Sequence, residues 1–339
     1  MAQVLGFLSV FAQGLSTIFA SPESFAKPSP KGTTVTIAAA LDMPGGISNA
    51  GGDFPAVRLY NEAHAEIGSK TKKLGGVGNG ATDSNFIEHK NGQQASYALF
   101  TAGNDAICIA YVTITWANGD KYAWTGDWAG PDGCKNDWYY SNVFIEGGGK
   151  EKKDKSTCLW IDRNGDRELT GFHVHFPAFV APDGGTDLKD KKVSDFCDSD
   201  AYRVYKDKDL KAIKFGRKRR RGLNGVASES LTARGEPVQN DLPKNVTNPA
   251  QHNGRLIVTD NKSHEVKALC ESKSSKGPDM VNTAEGLFCR MTDHTLWPVC
   301  KGTKKDNCFN TAAKKLVIAG KSTRSSPYTE VGDWTKHSS

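Results

Sequence analysis

No two cysteines in the chain are spaced Cys-x-x-Cys, which argues against a zinc ribbon or a thioredoxin-type redox site. Beyond the first twenty residues no apolar run is long enough to cross a bilayer, so the mature product is expected to be soluble, with no membrane partner. A phosphate-binding glycine loop, a nucleophile elbow and a Ser-His-Asp order are also missing. Nothing therefore points to an enzyme, and no cofactor is assigned. Charge is absent from residues 1–20 altogether. That segment has an apolar stretch over residues 4–11 and a small residue, Ala20, at a plausible cleavage point. It reads as a secretory signal peptide cut near Ala20, although the usual basic start is lacking. A buried N-terminal helix fits less well, because Pro22, Pro28 and Pro30 follow closely.

What is present agrees with export. The eight cysteines are Cys108, Cys134, Cys158, Cys197, Cys270, Cys289, Cys300 and Cys308, and all lie beyond the signal. An even number in an exported chain implies four disulfides. Four cysteines fall on each side of a basic run, so each half is expected to close its own two bridges. Spacing leaves the pairing within each half open. Asn245-Val246-Thr247 and Asn261-Lys262-Ser263 match the acceptor pattern for glycosylation.

The basic run is Arg217, Lys218, Arg219, Arg220 and Arg221. Like charges packed this tightly repel one another and resist burial, so the run is expected to be solvated and extended. Three readings stand. It can be a nuclear import signal held in an acidic, tryptophan-lined groove, a dibasic processing site, or a charged loop without a receptor. Residues 217–339 carry 21 Lys+Arg against 12 Asp+Glu, a net of +9, while residues 1–216 carry 23 against 26, a net of −3. Such asymmetry suits an acidic partner met through one end, DNA included. No helix-turn-helix, zinc-finger or RNA-recognition signature supports direct DNA binding.

The expected fold is mainly β. A β-sandwich-like domain spans residues 33–200, a charged and basic linker 201–253, and a small disulfide-bonded α+β domain 254–335. Residues 33–37, 56–60 and 105–116 read as strands, and Asn118-Gly119 before Lys121-Tyr122-Ala123-Trp124 is a strong hairpin signal. A second hairpin is expected where residues 158–161 and 171–176 flank Asn164-Gly165. In the last part, residues 256–258 and 315–318 read as strands and residues 286–291 pair with 295–300. Ser263 is placed to cap a short helix through Cys270.

His173 and His175 alternate on a strand and face one side of it, away from Phe172, Val174 and Phe176. Two such imidazoles can chelate a metal. No third ligand is evident, with His64 and His89 in distant loops, so an exposed polar face is expected and no metal is assigned. The segment 162–168 offers alternating oxygen ligands but reads better as a turn than as a calcium loop. Trp124, Trp128 and Trp138 crowd one region. Buried, they are core; exposed, they would stack on sugars and make a glycan- or cell-wall-binding protein, processed at the basic run.

Taken together, the export signal, stapled modules and basic tract resemble nuclear-targeted secreted effectors of plant-pathogenic ascomycete fungi. Residues 106–111 and 285–291 are similar to blocks in cysteine-containing fungal secreted proteins. The resemblance implies a virulence factor that enters a host cell and its nucleus. There it would meet an import receptor and bind transcription regulators or chromatin, suppressing immunity. It supplies no catalytic residues.

Overall fold

A computed structural model describes residues 26–40, 50–90, 93–146, 153–165, 167–179, 192–215, 254–302, 306–320 and 326–335. The expected signal peptide, the basic run and Asn245 lie outside the described residues. Within them the chain is mainly β, with one α-helix. No described helix is long and apolar enough to cross a membrane.

The first thirteen strands are β1 (Gly32–Ala39), β2 (Gly52–Asp53), β3 (Ala56–Tyr60), β4 (Glu66–Lys70), β5 (Gly76–Val77), β6 (Thr82–Glu88), β7 (Tyr97–Thr101), β8 (Ile107–Thr115), β9 (Lys121–Thr125), β10 (Trp138–Glu146), β11 (Lys153–Ile161), β12 (Gly171–His175) and β13 (Tyr202–Tyr205). One sheet runs β10-β11-β8-β1-β6, with β9 added to β8; a second runs β13-β12-β7-β3-β4. Alternation explains β1, where Val35 and Ile37 point inward while Thr36 meets Ser84 on the outer side. Strand β8 is apolar on both faces and buried almost throughout. Val35, Ile37, Val112 and Ile114 of the first sheet share one core with Val57, Leu59, Phe100, Phe172 and Val174 of the second.

The expected hairpin at Asn118-Gly119 is present. Strands β8 and β9 pair antiparallel, and Gly119 takes a φ of 93° that its missing Cβ allows. The hairpin expected at Asn164-Gly165 is not. Gly165 does turn the chain, its N–H donating to Asp162 Oδ2, but β11 pairs with β8 in one sheet and β12 with β7 in the other. The turn is a crossover between sheets. The expected linker also begins too early, because Tyr202–Tyr205 is the edge strand beside β12. Beyond it, Leu210, Ile213 and Phe215 pack back on Tyr60, Tyr97, Leu99 and Tyr205 over the outer face of the second sheet.

The C-terminal part comprises β14 (Arg255–Thr259), α1 (Val266–Glu271), β15 (Asp279–Asn282), β16 (Leu287–Arg290), β17 (Thr295–Pro298), β18 (Cys308–Asn310), β19 (Lys315–Val317) and β20 (Glu330–Asp333). Its sheet runs β17-β16-β15-β14-β20, with β14 parallel to both neighbours, and β18 pairs with β19 alone. Helix α1 is not capped by Ser263. The Glu285 carboxylate accepts from the Val266 and Lys267 N–H groups at 2.6 and 3.2 Å, satisfying two donors that the first turn leaves orphaned.

Four disulfides close within the two parts: Cys108–Cys158, Cys134–Cys197, Cys270–Cys289 and Cys300–Cys308. The first two span 50 and 63 residues, loops long enough for each bridge to contribute roughly 4 kcal/mol by restricting the unfolded chain. No bridge joins the parts, yet their cores are continuous, with Ile257, Leu269, Met280 and Trp334 in the same cluster as Trp138 and Trp160. Strand β10 carries the contact. The Trp138 N–H donates to Ser274 O, its carbonyl accepts from the Lys276 N–H, and its indole N–H donates to Ser272 Oγ. The Tyr139 hydroxyl donates to Pro278 O, and the Trp160 indole N–H to Lys276 O.

Candidate functional site

Trp124, Trp128 and Trp138 are 0, 1 and 0 % exposed. Trp124 lies between the sheets, 4.6 Å from Phe172, and Trp128 packs on Phe179 and Tyr202. Trp138 is in the contact with the C-terminal part. A face with no accessible area cannot stack on a sugar, so the glycan reading based on these rings is corrected: they are core. Asn261 is half-buried, and its Oδ1 accepts the Ser263 N–H in an Asx turn.

His173 and His175 do share one face of β12, as the alternation required, but the face is not open. His173 is fully buried, between Tyr97, Tyr205 and, from the returning segment 206–215, Phe215 at 6.5 Å. Its Nε2–H donates to Asp200 O, and its Nδ1 lies 2.8 Å from the Tyr205 hydroxyl, which also accepts the Lys214 N–H. Because a backbone carbonyl can only accept, Nε2 carries the proton and Nδ1 accepts from Tyr205. Burial pushes the imidazole down to about 4, so it is neutral near pH 7. The apolar residues Leu210, Ile213 and Phe215, spaced through a charged stretch, were the sequence signal for this cover.

His175 reaches the edge of the cover. It stacks on Tyr97 at 3.9 Å, and its Nε2 donates to Glu62 Oε1 at 2.7 Å. His64, expected to be distant, joins the same cluster, stacked on Phe215 at 3.6 Å and 5.6 Å from Tyr97. Burial alone would raise the Glu62 carboxyl, but the hydrogen bond from His175 and the nearby imidazoles hold it below its usual value. Burial, with Glu62 and Asp200 adding to it, pushes the Tyr97 phenol up to about 12. Among the described residues no group of three His, Cys, Asp or Glu is arranged to hold a metal.

Beside this cluster, at one end of the paired sheets, lies an open cleft of about 510 Å³. The β3–β4 loop supplies Asn61 and Glu62, the approach to β7 supplies Gln93 and Gln94, and the β8–β9 hairpin supplies Asp120 and Tyr122. Trp116 and Pro177 line it further in. Both loops are held from within. Asn61 Oδ1 accepts the Ala65 N–H and its Nδ2 donates to Gln93, while Asn118 donates to Asp120 Oδ2 and accepts the Asp120 N–H. A second hollow of about 400 Å³, at the other ends of β3 and β7, is lined by Lys72, Lys73 and Arg163 with Asp53. Sequence reading missed both, since loop residues carry no periodicity; the aromatics flanking Asn118-Gly119 were the one available cue.

No protein-family profile and no curated protein matches the chain. Two crystal structures of a LOX protein with a short replaced segment, one bearing an added substitution, align at 14% identity and a TM-score of 0.23, covering 27% of this chain and 14% of theirs. The chain thus spans about a seventh of the length of those solved chains.

Proposed function

We propose that the protein is an exported effector that acts by stoichiometric binding, with Arg217, Lys218, Arg219, Arg220 and Arg221 as the address read by a nuclear import receptor. It would be built as a sandwich-like body with a small stapled domain docked on it. Its targets would be transcription regulators or chromatin of the recipient cell. Export is supported by the uncharged first twenty residues and by four disulfides, which persist in oxidising compartments.

The observation that carries the import reading is the charge pairing among the last described residues before the run. At that point the carboxylates of Glu168, Asp207 and Asp209 already have lysines of their own, Lys206, Lys214 and Lys211. Such exposed pairs are weak and screened, and five adjacent like charges in the sequence repel one another, which favours a counter-charge supplied by another molecule. The ends of the segment are anchored, Phe215 by its stack on His64 and Gly254 by its carbonyl, which accepts the Thr329 N–H at 2.7 Å.

The test is a tagged protein lacking residues 1–20, expressed in plant cells. Replacing residues 217–221 with alanine is expected to abolish nuclear accumulation. Accumulation that survives the replacement refutes the import role.

A further inference from the structure

We propose that the cleft between Asn61, Gln94 and Tyr122 binds a neutral oligosaccharide. This site is independent of the basic run and of the buried tryptophans. A sugar presents hydroxyls that both donate and accept, and a C–H face that stacks on an aromatic ring. The cleft offers that combination. Gln93 uses its Oε1 on Asn61 and keeps its Nε2 donors. Gln94 donates Nε2 to Ala95 O and keeps Oε1 as an acceptor. Asp120 accepts from Asn118 through Oδ2 and keeps Oδ1. Tyr122, half-buried beside Trp116 at 6.1 Å, supplies the ring.

The charge pattern narrows the ligand. The lining contains no Lys or Arg and two carboxylates, which disfavours sulfated, phosphorylated or uronic sugars. A basic peptide suits the site poorly as well. Glu62 Oε1 already accepts a hydrogen bond from His175 Nε2, and side-chain amides offer donors that an ammonium group cannot use. The turns are pinned by the bonds within the Asn61 and Asn118 loops, so little ordering cost remains on binding.

Isothermal titration of the full mature protein with chitohexaose, cellohexaose and a β-1,3-glucan hexamer tests the proposal. At least one is expected to bind with a Kd on the order of 1 mM or tighter. Tyr122→Ala should weaken it at least about tenfold and Gln94→Ala about threefold, while Lys72→Ala, in the opposite hollow, leaves it unchanged. Each variant is checked for an unaltered melting temperature; Gln94 lies on the surface, so its variant remains a folded control should Tyr122→Ala lose stability. Failure of all three sugars to bind at about 10 mM overturns the proposal. So does binding that survives both cleft substitutions, or preferential binding of hexalysine.

Discussion

The ring of Tyr139 lies flat against Gly277, so close that a Cβ at Gly277 would come within 2.3 Å of the ring's Cδ2. That contact seats the C-terminal part on β10, because the same segment carries the Pro278 carbonyl that accepts the Tyr139 hydroxyl. The Tyr139 side chain is wholly buried, with its phenol raised well above the ordinary value by burial.

Gly277→Ala is therefore expected to destabilise the protein by about 2 kcal/mol, since overpacking forces either the ring or the backbone to move. Combining it with Tyr139→Leu should cost less than the two single changes added, because the shortened side chain relieves the clash. Denaturant titration followed by tryptophan fluorescence reads both values. Strict additivity would show that the two residues do not press on one another.

Proteolysis at the basic run has a definite outcome. All four disulfides close within the parts, while the contact at Trp138, Tyr139 and Trp160 joins them without a covalent bond. A cut between residues 217 and 221 should give two fragments that co-elute on gel filtration. They should separate on a denaturing gel run without reductant. Separation in native buffer would contradict the shared core.

Two buried groups give opposite responses to acid. His173, pushed down to about 4, contributes stability that is present above the unfolded value of 6.5 and lost as pH falls through 4. Asp279, pushed up to about 6 by burial despite bonds from Tyr328 and the Met291 N–H, contributes stability that is present below the unfolded value of 3.8 and lost as pH rises through 6. Each effect is on the order of 3 kcal/mol, and between pH 4 and 6 they offset one another. His173→Gln should make the protein gain stability on acidification, and Asp279→Asn should make it lose stability more steeply. Denaturation midpoints at pH 4, 5, 6 and 7 check this, and three parallel profiles would sink it.

Helix α1 depends on a residue distant in sequence. Glu285→Ala should cost about 1–2 kcal/mol by leaving the Val266 and Lys267 donors unsatisfied, whereas Ser263→Ala should cost less. Equal losses in a denaturant series would restore Ser263 as the cap.

Local chemistry was legible in the sequence wherever it is self-sufficient. The Asn118-Gly119 hairpin follows from a backbone that only such residues adopt, and the two-and-two division of disulfides follows from the basic run between the cysteines. Partner choice was not legible. Gly165 fixes a reversal, yet Leu159 pairs with Ile109 and Phe172 with Phe100 in different sheets, which turn chemistry does not specify. Burial of Trp124 and Trp128 was equally hidden, because aromatic density reads alike for a core and for a sugar platform. Glu285 reached α1 only through the fold, across β15 and the turn that follows it.

The affinity of the folded, uncut protein for an import receptor with an acidic groove tests the functional account most directly. Fluorescence anisotropy at low and moderate salt should show binding that weakens with salt and falls at least about a hundredfold when residues 217–221 become alanine. Equal affinity of the parent and alanine proteins, or no binding by the parent, would contradict it.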